Sequence, residues 1–173
     1  MSAVQIEVIQ GDITKQQVDA IVNAANKSLL GGGGVDGAIH QAAGPELLEA
    51  CRLLNGCETG NAKITAGFRL PAKFVIHAVG PLWKGGNQHE PELLQSAYKS
   101  SFMLAEAKKC STIAFPNIST GVYGFPKLKA AEIIVSFTKN YAKNLVHLKH
   151  ILFVCFDSEN YKIYKDLLSE TSE

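Results

Sequence analysis

The chain has 173 residues, 46% hydrophobic and 19% charged, with a formal net charge of +1. That length fits one domain spanning residues 1–173, able to bury about 70% of the surface its unfolded chain exposes. The balanced charge, without a long basic block, argues against a non-specific nucleic-acid binder, which needs many Lys and Arg contacts to phosphate. No apolar run approaches the ~20 residues of a membrane span. The N-terminus alternates like a strand rather than reading as a basic-then-apolar leader, so a cytoplasmic location is expected.

Residues 3–9 alternate as a half-buried strand and run into the turn Gly11-Asp12, which Asp12 is suited to cap. A second strand, 20–24, leads through Asn23-Ala24-Ala25-Asn26 into the consecutive glycines Gly31, Gly32, Gly33 and Gly34. The pattern then predicts helices over 36–43 and 46–54, with Pro45 in the first turn of the second. Strands at 62–68 and 73–79 precede a long amphipathic helix at 91–109. A nearly all-apolar strand at 111–116 reads as covered on both faces. A helix at 128–143, a strand at 150–156 and a helix at 157–168, capped by Asp157 or Ser158, complete the chain. Strands alternating with helices imply an α/β fold with helices on both faces of one sheet.

The four cysteines (Cys51, Cys57, Cys110, Cys155) have no CxxC pairing and no histidine at metal spacing, so buried reduced thiols and no metal are expected. Gly32, Gly34 and Gly37 form a literal G-x-G-x-x-G. The dinucleotide fingerprint, however, needs its glycines directly after the strand, and Asn26–Leu30 intervene here.

The two glycine-bearing loops, 26–36 and 117–126, leave strand ends and enter helices, so they are placed to line one cleft. Residues 28–44 and 117–126 contain neither Lys nor Arg. A phosphate there must be held by main-chain N–H groups and helix N-termini, which suits a compact diphosphate. Ser119-Thr120-Gly121 lacks the G-x-S-x-G elbow of a serine hydrolase. By spacing alone, Asp36 reads either as a carboxylate stabilising a helix start, worth about 0.3–1 kcal/mol, or as a reactive group. Tyr123, Phe125 and Phe156 are open between packing and facing a sugar or base. His40, one turn after Asp36, reads as a packing histidine, and His77 as a structural residue within its strand.

Several motifs together resemble a known family. Gly-Asp-Ile-Thr at 11–14, Asn-Ala-Ala-Asn at 23–26, Gly-Gly-Gly-Gly-Val-Asp-Gly-Ala-Ile-His at 31–40, Ala-Gly-Pro at 43–45 and Ile-Ser-Thr-Gly-Val-Tyr-Gly-Phe-Pro at 118–126 are similar to macrodomains. The likeness is to the MacroD-type branch, which includes bacterial O-acetyl-ADP-ribose deacetylases. It covers nearly the whole chain.

The resemblance implies a three-layer α/β/α macrodomain with a central mixed sheet and a cleft for ADP-ribose, with no cofactor. Carried over, Asp12 and the backbone of Ile13 would meet the adenine, with Phe156 stacked near it. Gly33, Gly34 and Val35 would cradle the diphosphate with Ser119, Thr120, Gly121, Val122 and Tyr123. Asn23, Asn26 and Asp36 would face the distal ribose, and Ala24 would also touch the ligand. The implied reaction is hydrolysis of an ester on that ribose, either in O-acetyl-ADP-ribose or in mono-ADP-ribose on Asp or Glu of a protein partner. Asp36 would activate water and Asn26 would hold a ribose hydroxyl. The resemblance also admits a non-catalytic ADP-ribose reader, or a phosphatase acting on ADP-ribose 1″-phosphate.

Overall fold

The computed structural model describes residues 3–169; residues 1–2 and 170–173, the ends of the expected domain, lie outside the described residues. The strands are β1 Gln5–Gln10, β2 Ala20–Ala25, β3 Ala62–Ala66, β4 Phe74–Val79, β5 Thr112–Phe115 and β6 His150–Cys155. They form one sheet in the order β1-β6-β5-β2-β4-β3. Neighbours are parallel except β3 and β4, which are antiparallel. The helices are α1 Gly34–Ala43, α2 Pro45–Arg52, α3 Glu90–Ala107, α4 Lys127–Tyr141 and α5 Ser158–Ser169.

Strand alternation sorts side chains to two faces. Ile21 and Val75 point to one side, where they pack with Ile39 of α1 and with Leu47 and Cys51 of α2. Val22 and Ile76 point to the other, where Phe102 of α3, Ile134 of α4 and Tyr164 of α5 close over them. The result is the expected three-layer α/β/α arrangement. Phe115 on β5 is fully buried between Tyr98, Phe102 and Phe153, at ring-centroid distances of 4.8, 5.1 and 6.0 Å.

Several boundaries differ from the sequence pattern, each for a local reason. Strand β3 stops at Ala66 because Gly67 donates to the Lys73 carbonyl and Phe68 takes a left-handed φ of 52°, which turns the chain back antiparallel. A side chain on Gly67 would strike the Ala72 carbonyl. Helix α3 ends at Ala107, just before Lys109 at φ 57°. Helix α4 gives way to a 3₁₀ turn at Ala142–Asn144. Helix α1 begins at Gly34 rather than Asp36, because the cap is the main chain of Gly33 and no side-chain cap is needed.

The fold positions a cleft by topology. β2 and β5 are adjacent, with Ala20 beside Ile113 and Ile21 beside Ala114. The helix after β2 (α1) lies on one face, and the helix after β5 (α4) lies on the other. Their loops therefore diverge beyond the carboxyl ends of the strands, the switch point at which open α/β sheets bind ligands.

Glu90 at the start of α3 pins the glycine loop ahead of it. Its carboxylate accepts N–H bonds from Lys84 (2.7 Å), Gly86 (3.1 Å) and Gln88 (2.6 Å). Burial pushes this carboxyl up, but the N–H groups outweigh it and hold it at about 2, below the ordinary 4.5. A lowered folded-state value stabilises the fold above the unfolded value and loses that stabilisation as pH falls. Glu90→Gln should lower the urea midpoint near neutral pH, and its gap to wild type should shrink as pH falls from 4.5 towards 2. A gap that does not change with pH would contradict this role. Phe115→Ala should cost about 3–5 kcal/mol in denaturant unfolding. A loss under about 1 kcal/mol would mean that this aromatic cluster does not carry the core.

Candidate functional site

The carboxyl ends of the parallel strands surround a cleft of about 740 Å³, within the range of small-molecule sites. The turn after β1 contributes Gly11, Asp12 and Ile13; β2 and the segment after it contribute Ala24, Asn26, Gly33, Gly34, Val35 and Asp36. The loop after β5 contributes Ser119, Thr120, Gly121, Val122 and Tyr123, and the residue following β6 is Phe156. Each site residue singled out from the sequence lies on this wall except Asn23.

Asn23 departs from expectation. Its side chain is fully buried beneath Asp36 instead of facing a ligand, because β2 alternation turns it into the layer under α1. Its Nδ2 donates to Asp36 Oδ1 at 2.9 Å. It therefore supports the cleft wall without forming part of it.

Asp36 is the third residue of α1, in the helix's first turn and only 5% exposed. One oxygen is anchored: Oδ1 takes the Asn23 bond and lies 3.5 Å from His40 Nε2. The other oxygen, Oδ2, and Asn26 Nδ2 converge on one spot. A Cβ placed on Gly32 would sit 3.2 Å from the first and 3.4 Å from the second. Only glycine leaves that spot open.

Asn26 also shapes its own loop. Its Oδ1 accepts from Ser28 N (3.1 Å), Ser28 Oγ (2.6 Å) and Leu29 N (3.2 Å), and its Nδ2 donates to Gly31 O (3.0 Å). One hydrogen of that amide is left for a ligand.

Both loops present unpaired main-chain donors. Among the described residues, the N–H groups of 33–36 and of 120–123 donate to no acceptor. The first run is the start of α1, where such groups and the helix dipole favour an anion. The second is held open from behind. Phe125 N donates to Ser119 O, Gly124 N to Gly121 O, and Trp83 N to Tyr123 O, each at 2.9 Å. Phe125 is itself buried 4.7 Å from the Trp83 ring.

At the β1 end, Asp12 Oδ1 accepts from Thr14 N (2.9 Å) and Thr14 Oγ1 (2.7 Å). The Thr14 hydroxyl bond chiefly holds this carboxyl below its ordinary range. Asp12 Oδ2 and the Ile13 N–H are left for a ligand. Phe156 stands 88% exposed at the rim, and Val122 is fully exposed.

His40, read from the sequence as a packing histidine one turn after Asp36, lies 3.5 Å from its Oδ1. Three further polar residues, Asn117, Lys127 and Asn160, lie on the wall without having been singled out in the sequence. Asn117 belongs to the loop already marked. Lys127 lies on the wall but is paired with Glu159 at 2.8 Å. Asn160 arrives from α5, whose start Asp157 fixes by accepting from Asn160 N at 2.7 Å; no local pattern announces it.

Two side-chain atoms on the wall, Ser119 Oγ and Asn160 Oδ1, have no partner among the described residues. Burial pushes the thiols of Cys51 and Cys155 up to about 11, which disfavours thiolate chemistry. Among the described residues, no cluster of three or more His, Cys, Asp or Glu is placed to hold a metal.

The chain is similar to known proteins over most of its length. The Macro domain family matches residues 22–134. A macro domain-containing protein of Lactiplantibacillus plantarum is 56% identical, over 96% of this chain and 97% of that protein. The O-acetyl-ADP-ribose deacetylase of Salmonella gallinarum is 52% identical, over 98% of this chain and 97% of that protein. A Trypanosoma brucei macrodomain crystallised with ADP-ribose superposes with a TM-score of 0.90 at 42% identity, over 95% of this chain and 69% of that one. With its motifs, its sheet order and its paired glycine loops all accounted for, the chain belongs to the macro domain family.

Proposed function

We propose that this protein binds ADP-ribose and hydrolyses esters on its distal ribose, with O-acetyl-ADP-ribose and mono-ADP-ribosylated Asp or Glu side chains as substrates. The observation that carries the reading is Asp36. It is a buried carboxylate with one oxygen anchored, the other beside Asn26, and donor N–H groups next to it.

The diphosphate takes the N–H groups of 33–36 and 120–123, whose geometry serves an anion without lysine or arginine. Adenine lies at Asp12 Oδ2 and Ile13 N–H, against Phe156. The distal ribose then reaches Asn26, whose spare amide hydrogen holds a hydroxyl. Asp36 Oδ2 orients a water and takes its proton as the oxygen attacks the acyl carbon. The acyl–oxygen bond breaks, the proton passes to the departing ribose oxygen, and the products are the carboxylic acid and ADP-ribose. Main-chain donors stabilise the negative charge that develops. The named deacetylase relative supports the reaction class, and the ADP-ribose-bound structure supports the ligand.

Asp36→Ala should cut acetate release from O-acetyl-ADP-ribose by about 10²–10⁴-fold while ADP-ribose still binds by calorimetry. Near-normal turnover would remove Asp36 from the chemistry. Gly121→Glu should abolish ADP-ribose binding, because it sets a carboxylate against the diphosphate. Unchanged affinity would mean that the second loop is not the phosphate site.

A further inference from the structure

Beneath Asp36 lies a run of buried polar side chains that the reaction above does not use. His77 is wholly buried on β4, in register with Asn23 on β2. Its Nδ1 lies 3.3 Å from Asn23 Nδ2. Its Nε2 lies 3.0 Å from Thr65 Oγ1 on β3 and 3.7 Å from Cys51 Sγ on α2. Thr65, His77, Asn23 and Asp36 thus form a chain that crosses three adjacent strands and ends on α1.

An amide NH₂ has two hydrogens, and Asn23 has one acceptor for each: Asp36 Oδ1 and His77 Nδ1. His77 Nδ1 accepts only when bare, which puts the ring proton on Nε2, where Thr65 Oγ1 receives it. Burial, aided by His40, lowers His77 to about 3, which keeps the ring neutral and able to accept. The Asn23 carbonyl, by contrast, has no partner among the described residues. The amide is therefore held by its donors alone. Without the His77 acceptor, Asn23 keeps one hydrogen bond, to Asp36, and its second N–H is left buried and unpaired, so the amide is no longer held against turning. A turned amide would set its oxygen against the Asp36 carboxylate.

We propose that His77 is a positioning residue for ester hydrolysis: through Asn23 it fixes Asp36 Oδ1 so that Oδ2 faces the cleft beside Asn26. The inference rests on the catalytic assignment of Asp36. His77 touches no cleft atom, so its loss acts on turnover and leaves ligand binding alone.

The test measures kcat for acetate release and the calorimetric Kd for ADP-ribose in wild type, Asp36→Ala, His77→Leu, His77→Asn and His77→Gln. His77→Leu should lower kcat by about 10–100-fold, the scale of a misplaced reactive group, with Kd essentially unchanged. His77→Asn puts an amide oxygen where Nδ1 stood and should recover most of that loss. His77→Gln reaches only the Nε2 position and should not. If His77→Leu fails to fold, the contrast between the Asn and Gln variants carries the test. Wild-type kcat in His77→Leu, parallel loss of kcat and affinity, or equal recovery by Gln and Asn would overturn the inference while Asp36→Ala remains inactive. An inactive wild type, or an active Asp36→Ala, would instead overturn the hydrolase reading beneath it.

Discussion

The site depends on one hydrogen bond, from Asn23 Nδ2 to Asp36 Oδ1 at 2.9 Å. A carboxylate that is almost wholly buried is costly unless it is paired or hydrogen-bonded. Here it is met by a buried amide, a histidine 3.5 Å away and the positive end of α1. Satisfying only Oδ1 leaves Oδ2 directed at the space above Gly32. A carboxylate serving only to stabilise a helix start has no need of a buried partner from a strand beneath it. Asp36 stabilises the first turn of α1 and also faces the cleft.

The same economy governs the rest of the cleft. A diphosphate is usually met with lysine or arginine, whose long side chains must be ordered on binding. This chain offers instead two runs of N–H groups already fixed by folding, one at a helix start and one on a loop pinned by Phe125 and Trp83. Donors that need no reorganisation suit both recognition and stabilisation of developing charge. With no Lys or Arg in residues 28–44 or 117–126, neither stretch supplies a permanent cation to compete with Asn23 for Asp36.

Much of the fold was legible because it rests on local periodicity. The apolar run of β5 announced a strand covered on both faces, and Pro45 and Asp157 announced helix starts. The boundaries that slipped were set by main-chain geometry that residue type does not encode, as at Gly33, Phe68 and Lys109. Asn23 and Asn26 look equivalent in Asn-Ala-Ala-Asn, yet three residues of strand and turn put one under the cleft and the other on its wall. The role argued for His77 was illegible for the same reason. Its neighbours Asn23, Thr65 and Cys51 come from three other elements, and nothing within its own strand points to them.

Hydrolysis in which Asp36 directs a water onto the acyl carbon of a bound ester leaves an isotopic record. The measurement is turnover of O-acetyl-ADP-ribose in ¹⁸O-labelled water. Attack of water at the acyl carbon should release acetate carrying the label, with none in the ADP-ribose. Tight binding without release, or label in the ribose, would contradict it.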